Sequence, residues 1–246
     1  MGTPLRWVHA CVTVTNVVVG CGDGNALVFD MYSSQCSQIR RMNSNYGPLT
    51  CLELSNDDSR LLILAGSRSN ITMSSGLVGD PVASLSTNYS ASYVRTLCYN
   101  PSGDDHWMVF GGSNGGYVHC WDLRTRKSLW NTKVNRYAVF SVQQLRNAAA
   151  SDLVVGGADG VLRVVDHNTG EVISRIVLDT GYCALPSSTS STTRAPVQRL
   201  IRGRRLSADA VVDDDIRPPP ITSLAVGMKK VITTHDTDYV RTWKFD

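Results

Sequence analysis

Long apolar runs are missing from this sequence. No stretch approaches the roughly 18 residues of a membrane-spanning helix, and the opening MGTPLRWVHA has no apolar segment of secretory-signal type. Charge of one sign is scarce too: 24 Lys and Arg stand against 21 Asp and Glu, a net +3 over 246 residues. No membrane is expected as a partner, and overall charge does not call for nucleic acid. The five histidines form no H-x-x-x-H, H-E-x-x-H or Cys/His metal spacing, and no G-x-S-x-G elbow occurs. Gly111–Gly116 is glycine-rich but lacks the Lys-Ser/Thr of a phosphate loop and reads as a hairpin turn. Asp104-Asp105-His106 and Asp213-Asp214-Asp215 read as solvated loop charges, and His119, beside Cys120 and Trp121, as a packed strand residue. The expectation is a chain with no catalytic residues, no metal and no cofactor. Seven cysteines, an odd number with no C-x-x-C pair, read as buried thiols of a reducing compartment, cytoplasmic or nuclear. The sequons at Asn70 and Asn88 carry no meaning in that setting.

What the chain does have is an internal repeat. Residues 20–30 read GCGDGNALVFD, 112–122 GSNGGYVHCWD, 156–166 GGADGVLRVVD and 234–244 THDTDYVRTWK. Each is a small or polar turn, then alternating apolar residues, then a bulky position: Phe29, Trp121, Val165 and Trp243. A worn copy, GSRSNITMSS over 66–75, puts Ser75 at that position. Asp23-Gly24 and Asp159-Gly160 suit a tight hairpin turn.

Around each turn the pattern predicts four strands, rich in β-branched and aromatic residues and bounded by turn signals. Inner strands are expected at Leu49–Leu54, Val94–Tyr99, Ala138–Gln143 and Ile221–Val226; outer ones at Gln35–Ile39, Pro81–Leu85, Lys127–Trp130 and Glu171–Val177. Four strands in about 44 residues is the period of a β-propeller blade. The fold expected is all-β, a propeller of four-stranded antiparallel blades.

GGSNGGYVHCWDLRTRKSLW resembles a WD40 repeat, and GGADGVLRVVDHNTGEVI resembles another with Val165 in place of Trp. The resemblance implies structural roles for Asp23, Phe29, Trp121, Asp122, Asp159, Val165 and Trp243 in holding the blades. The Gly-His of that family is missing, so its side-chain tetrad is incomplete. VVVGCGDGNALVFDMYSSQCSQI, GGYVHCWDLR, FSVQQLRN and GMKKVITTHDTDYVRTWKFD are similar to the C-terminal propeller of plant F-box/WD-repeat proteins. That resemblance implies a non-enzymatic protein-interaction propeller, the substrate-recognition part of an SCF-type E3 ubiquitin ligase. Its partners would be a ubiquitination substrate, with a Skp-type adaptor and a cullin only where an F-box is supplied. No F-box-like stretch precedes the first blade. Two other readings stay open: a general scaffold for multiprotein assembly, or an RNA-associated protein using an arginine-rich insert.

Blades one to four are assigned to 1–181, a polar insert expected to be disordered to 182–220, and the last blade of the same propeller to 221–246. That allows about five blades, fewer than the seven the resemblance implies, so an incomplete ring is expected. Leu5–Val14 is either the first blade's inner strand or a closing strand. Loops on one rim of a rigid scaffold are the expected recognition surface. Candidates for partner binding there are Arg68, Arg95, Arg136, Tyr137 and His235. In the insert, Arg204-Arg205-Leu206-Ser207 resembles a basic-directed kinase site, with Ser207 as the acceptor.

Overall fold

Strand-forming residues separated by turn chemistry produce five antiparallel sheets. In a computed structural model, the structure describes residues 7–12, 16–32, 38–43, 48–54, 62–66, 70–74, 81–86, 92–99, 107–145, 152–177, 204–206, 218–227 and 230–244. Every regular element among them is a strand. Blade one is β1 (Trp7–Val12), β2 (Asn16–Cys21), β3 (Asn25–Asp30) and β4 (Gln38–Asn43). Blade two is β5 (Leu49–Leu54), β6 (Leu62–Gly66), β7 (Asn70–Ser74) and β8 (Pro81–Ser86). Blade three is β9 (Val94–Tyr99), β10 (Met108–Ser113), β11 (Tyr117–Asp122) and β12 (Lys127–Lys133). Blade four is β13 (Val139–Gln144), β14 (Leu153–Gly157), β15 (Leu162–Val165) and β16 (Val172–Val177), extended by β17 (Arg204–Leu206). Blade five is β18 (Ile221–Val226), β19 (Lys230–His235) and β20 (Thr237–Lys244).

Each sheet is a meander in chain order, and consecutive blades pack through their inner strands: β1 on β5, β5 on β9, β9 on β13, β13 on β18. The hydrophobic cores lie between blades. Val18, Ala26 and Val28 meet Leu49, Leu52 and Leu54 between blades one and two. Cys51, Ile63, Ile71 and Leu85 meet Val94, Val109 and Trp121 between two and three. Phe110, Val118 and Cys120 meet Val142, Leu153 and Val165 between three and four. Val154 and Leu162 meet Ile221, Val231 and Trp243 between four and five.

The repeat is visible in the register. The bulky position pairs with the same ladder residue in every blade: Val17 with Phe29, Val109 with Trp121, Leu153 with Val165, Val231 with Trp243. In blade two the equivalent pair is Leu62 with Ser74. The bulky position is therefore Ser74, not Ser75, which lies outside the described residues. Gly66 stands in the place of Ser113, and Ala65 in that of Gly112. Blade two, despite its worn sequence, has all four strands.

Among the described residues the ring is not closed between the fifth sheet and the first. Val154 and Leu162, covered by blade five, are both 0% exposed; their counterparts in blade five, Ile232 and Val240, are 41% and 56% exposed.

One open alternative is decided and two expectations change. Within Leu5–Val14, Trp7–Val12 is the first blade's own inner strand, because β1 pairs with β2 there. The first outer strand is Gln38–Asn43 rather than Gln35–Ile39. The insert contributes β17, which pairs antiparallel with β16 through Arg175↔Leu206, Ile176↔Arg205 and Val177↔Arg204. Its residues 182–203 and 207–217 lie outside the described residues.

Candidate functional site

In blades three, four and five the hairpin turn and the loop that leads into the inner strand meet at one rim. Glycine makes the turns possible. Gly160 has φ 70°, and a Cβ there would sit 2.5 Å from the Pro218 carbonyl oxygen, so the loop entering blade five can rest against the turn of blade four. Asp159 organises that turn. Its Oδ1 accepts from the Val161 backbone N–H (3.2 Å), from Asn135 Nδ2 (2.9 Å) and from Arg163 Nη1 (3.1 Å), while Arg163 Nη2 donates to Oδ2. Arg163 is buried, so the carboxylate supplies the counter-charge that offsets the desolvation of its guanidinium. In blade one Asp23 makes the matching turn bond, accepting from the Asn25 N–H at 3.0 Å.

Other blades latch the rim differently. In blade three Ser92 Oγ accepts from the Gly115 N–H at 3.2 Å. In blade five a chain of bonds replaces the carboxylate. Trp243 Nε1 donates to Thr233 Oγ1 (3.1 Å), which lies 2.9 Å from His235 Nε2, and His235 Nδ1 lies 3.1 Å from the Pro219 carbonyl oxygen. The directions follow: Nδ1 carries the proton and donates to Pro219, so Nε2 accepts from the Thr233 hydroxyl. Burial, with Arg241 nearby, holds the His235 pKa down and keeps the ring neutral.

Inner strands carry the exposed part of the rim. Each has one extra residue at its second position, where the register to the next strand slips: Val8, Thr50, Arg95, Phe140 and Thr222. A bulge re-aims the side chain it carries, and bulges concentrate next to binding sites. Arg95 is exposed, and its guanidinium carbon lies 4.8 Å from the centroid of Phe140, so two successive bulges form a cation–π pair. Thr50 Oγ1 donates to the Val94 carbonyl at 2.5 Å, tying bulge two to blade three. Arg136 is exposed and Tyr137 half-buried in the loop before β13, whose shape is set by Asn135 Oδ1 accepting from the Tyr137 N–H at 2.8 Å. Charge, an aromatic face and hydroxyls on a fixed backbone suit recognition of a protein segment.

Arg95, Arg136 and Tyr137 thus share one stretch of rim. His235 does not belong with them: it is buried, and its ring bonds inward. Arg68 and Ser207 lie outside the described residues. Phe140, Thr50 and Thr222 were not legible as rim residues, because the bulge that re-aims them leaves strand composition unchanged.

At the opposite ends of the blades the residue after the bulky position closes a turn. Asp30 accepts from the Tyr32 N–H, Asp122 from Arg124 and Thr125, Asp166 from Asn168 and Thr169. The Arg124 side chain also bonds Asp122 and, with these N–H groups, holds its carboxyl below the usual range. His119 stacks on Trp121 with centroids 5.3 Å apart, and burial pushes its pKa down to about 4. Cys21, Cys51, Cys98 and Cys120 are buried and form no disulfide, and burial raises the Cys51 pKa. Among the described residues no three His, Cys, Asp or Glu side chains are grouped to hold a metal ion.

No family model matches the chain. Over 93% of its length it is 42% identical to an F-box/WD-40 repeat-containing protein of Arabidopsis thaliana, and it spans 48% of that protein. Over 43% of its length it is 34% identical to the ribosome biogenesis protein erb1 of Pyrenophora tritici-repentis, spanning 14% of it. Among solved structures, a chain of a mitotic checkpoint complex superposes with TM-score 0.70 at 16% identity, covering 100% of this chain and 65% of that one. The WD40 β-propeller domain of Doa1 superposes with TM-score 0.65 at 14% identity, covering 96% and 63%.

Proposed function

Because this chain is a WD40-type β-propeller whose sequence is similar to a plant F-box/WD-40 repeat protein, we propose that it is the substrate-recognition part of an SCF-type ubiquitin ligase. The observation that carries this reading is the 42% identity, which runs through 93% of the chain rather than through isolated repeat motifs. The propeller binds a protein through the rim that displays Arg95, Phe140, Arg136 and Tyr137, and it does so without catalysis. A Skp-type adaptor and a cullin join through an F-box supplied outside these blades, in the cytoplasm or nucleus.

Affinity capture from plant extract tests it, with the chain fused to an F-box and identified by mass spectrometry. The expected set is adaptor, cullin and a substrate whose recovery falls when Arg95 and Arg136 are both replaced by Glu. Recovery of adaptor and cullin with no protein sensitive to the double replacement overturns the assignment of the rim. A second reading rests on the similarity to a ribosome biogenesis protein and the arginines of the insert. Capture of RNase-sensitive ribosome-assembly partners, lost on deleting residues 186–217, would favour it.

A further inference from the structure

Outer strands of the propeller share a second irregularity. In blades one to four the outer strand holds one extra residue opposite the bulky position: Ile39, Val82, Leu129 and Ile173. Beyond that bulge the strand runs regularly, with its outward edge turned away from the sheet. In blade four this stretch, Arg175–Val177, is occupied by β17, which adds a fifth antiparallel strand. The equivalent stretch in blade three is Asn131–Lys133, paired inward as Tyr117↔Lys133, Val118↔Thr132 and His119↔Asn131. Among the described residues no strand pairs with its outer edge.

Unpaired strand edges present a row of backbone donors and acceptors, and an extended peptide completes them. Charge states which kind. Residues 122–133, DLRTRKSLWNTK, contain one acid, Asp122, and it is buried and bonded to Arg124. Arg126, Lys127 and Lys133 add three further exposed cations along the turn and strand. Apolar surface lies on the same blade, with Leu129 49% and Trp107 42% exposed. The outer strand of blade two, Pro81–Ser86, is uncharged and begins with proline. We propose that the outer edge of blade three docks an extended acidic segment of a partner protein, added as a fifth strand along Asn131–Lys133 as β17 is added to blade four. This edge ends at the rim, where Lys133 pairs with Tyr117 and precedes Arg136 by three residues, but it acts through its backbone and its lysines rather than through Arg95, so Arg95→Glu tells the two proposals apart.

The test uses the 246-residue chain and a fluorescent peptide of alternating Glu and Val, seven residues long. Binding that weakens with added salt is expected, together with slowed amide exchange at Asn131–Lys133. Replacing Lys127 and Lys133 with Glu should weaken binding about tenfold, and with Gln by less, while Arg95→Glu leaves it unchanged. Equal binding of the Lys/Val counterpart, or no loss in the double variant, overturns the proposal. So does protection confined to another edge. An oligouridylate bound as tightly as the peptide overturns it in favour of a nucleic-acid surface.

Discussion

Asn135 Nδ2 donates to Asp159 Oδ1 at 2.9 Å, joining the loop that enters blade four to the hairpin turn of that blade. The same carboxylate neutralises Arg163, so one side chain fixes the turn, the loop and a buried cation. Asp159→Ala should destabilise the chain by about 3 kcal/mol, because the guanidinium is left buried without its counter-ion. Asp23→Ala, at the exposed equivalent in blade one, should cost only about 1 kcal/mol. Adding Arg163→Met to Asp159→Ala should recover most of the loss. Urea unfolding of the variants checks it; an equal cost at the two aspartates would show that Arg163 does not depend on Asp159.

Trp243, Thr233 and His235 give a second case with no charge involved. Thr233→Val keeps the volume and removes the hydroxyl between the indole N–H and the imidazole. Both buried groups lose their partner, and a cost of about 2 kcal/mol is expected. Restoring the hydroxyl with Ser should return part of it, whereas a loss due to packing alone would be larger for Ser than for Val.

Much of this was readable in the chain. Asp23 and Asp159, six residues before Phe29 and Val165, mark turns that the structure closes with the bonds expected of an Asx-type turn. Blade number and strand order follow from turn residues at a regular period. The failures share a cause. Strand ladders alternate with period two, so one extra residue changes what a position faces without changing composition. Gly66 matches Gly112 by identity but Ser113 by register, and the bulky position of blade two slips by one. His235 reads as part of a polar turn, yet the strand runs to it and β20 resumes at Thr237, so its ring turns inward. Nothing local in Arg204–Leu206 announces its pairing with Arg175–Val177, which is a long-range contact.

One buried and one half-buried group, His119 and Glu53, should give the protein opposing pH responses. His119 takes up a proton near pH 6.5 in the unfolded chain but only near about 4 when folded. The unfolded state therefore binds more protons between those values, and stability from this residue falls as pH drops below 6.5. Burial raises Glu53 from 4.5 to about 7, so the folded state holds the extra proton and stability falls as pH rises through that range. From about pH 4.5 to 6.5 the two oppose each other. His119→Phe should leave a profile that falls with rising pH, and Glu53→Gln one that rises. Thermal midpoints of the three proteins between pH 4.5 and 8 measure this; superimposable profiles would refute it.

Ile232 and Val154 occupy the same ladder position in blades five and four, and they differ in what covers them. Val154 is sealed by the next blade, so Val154→Asp places a carboxylate between two sheets and should prevent stable folding, at a cost of several kcal/mol. Ile232 faces outward on the last described sheet, so Ile232→Asp should change stability by no more than about 0.5 kcal/mol. It should also reduce self-association, since the apolar strip with Val240 is interrupted by charge. Denaturant midpoints and light scattering of the two variants separate the cases. Should Ile232→Asp prove as damaging as Val154→Asp, another sheet must cover that face in solution, because only packing against an apolar surface makes the same substitution equally costly at both positions.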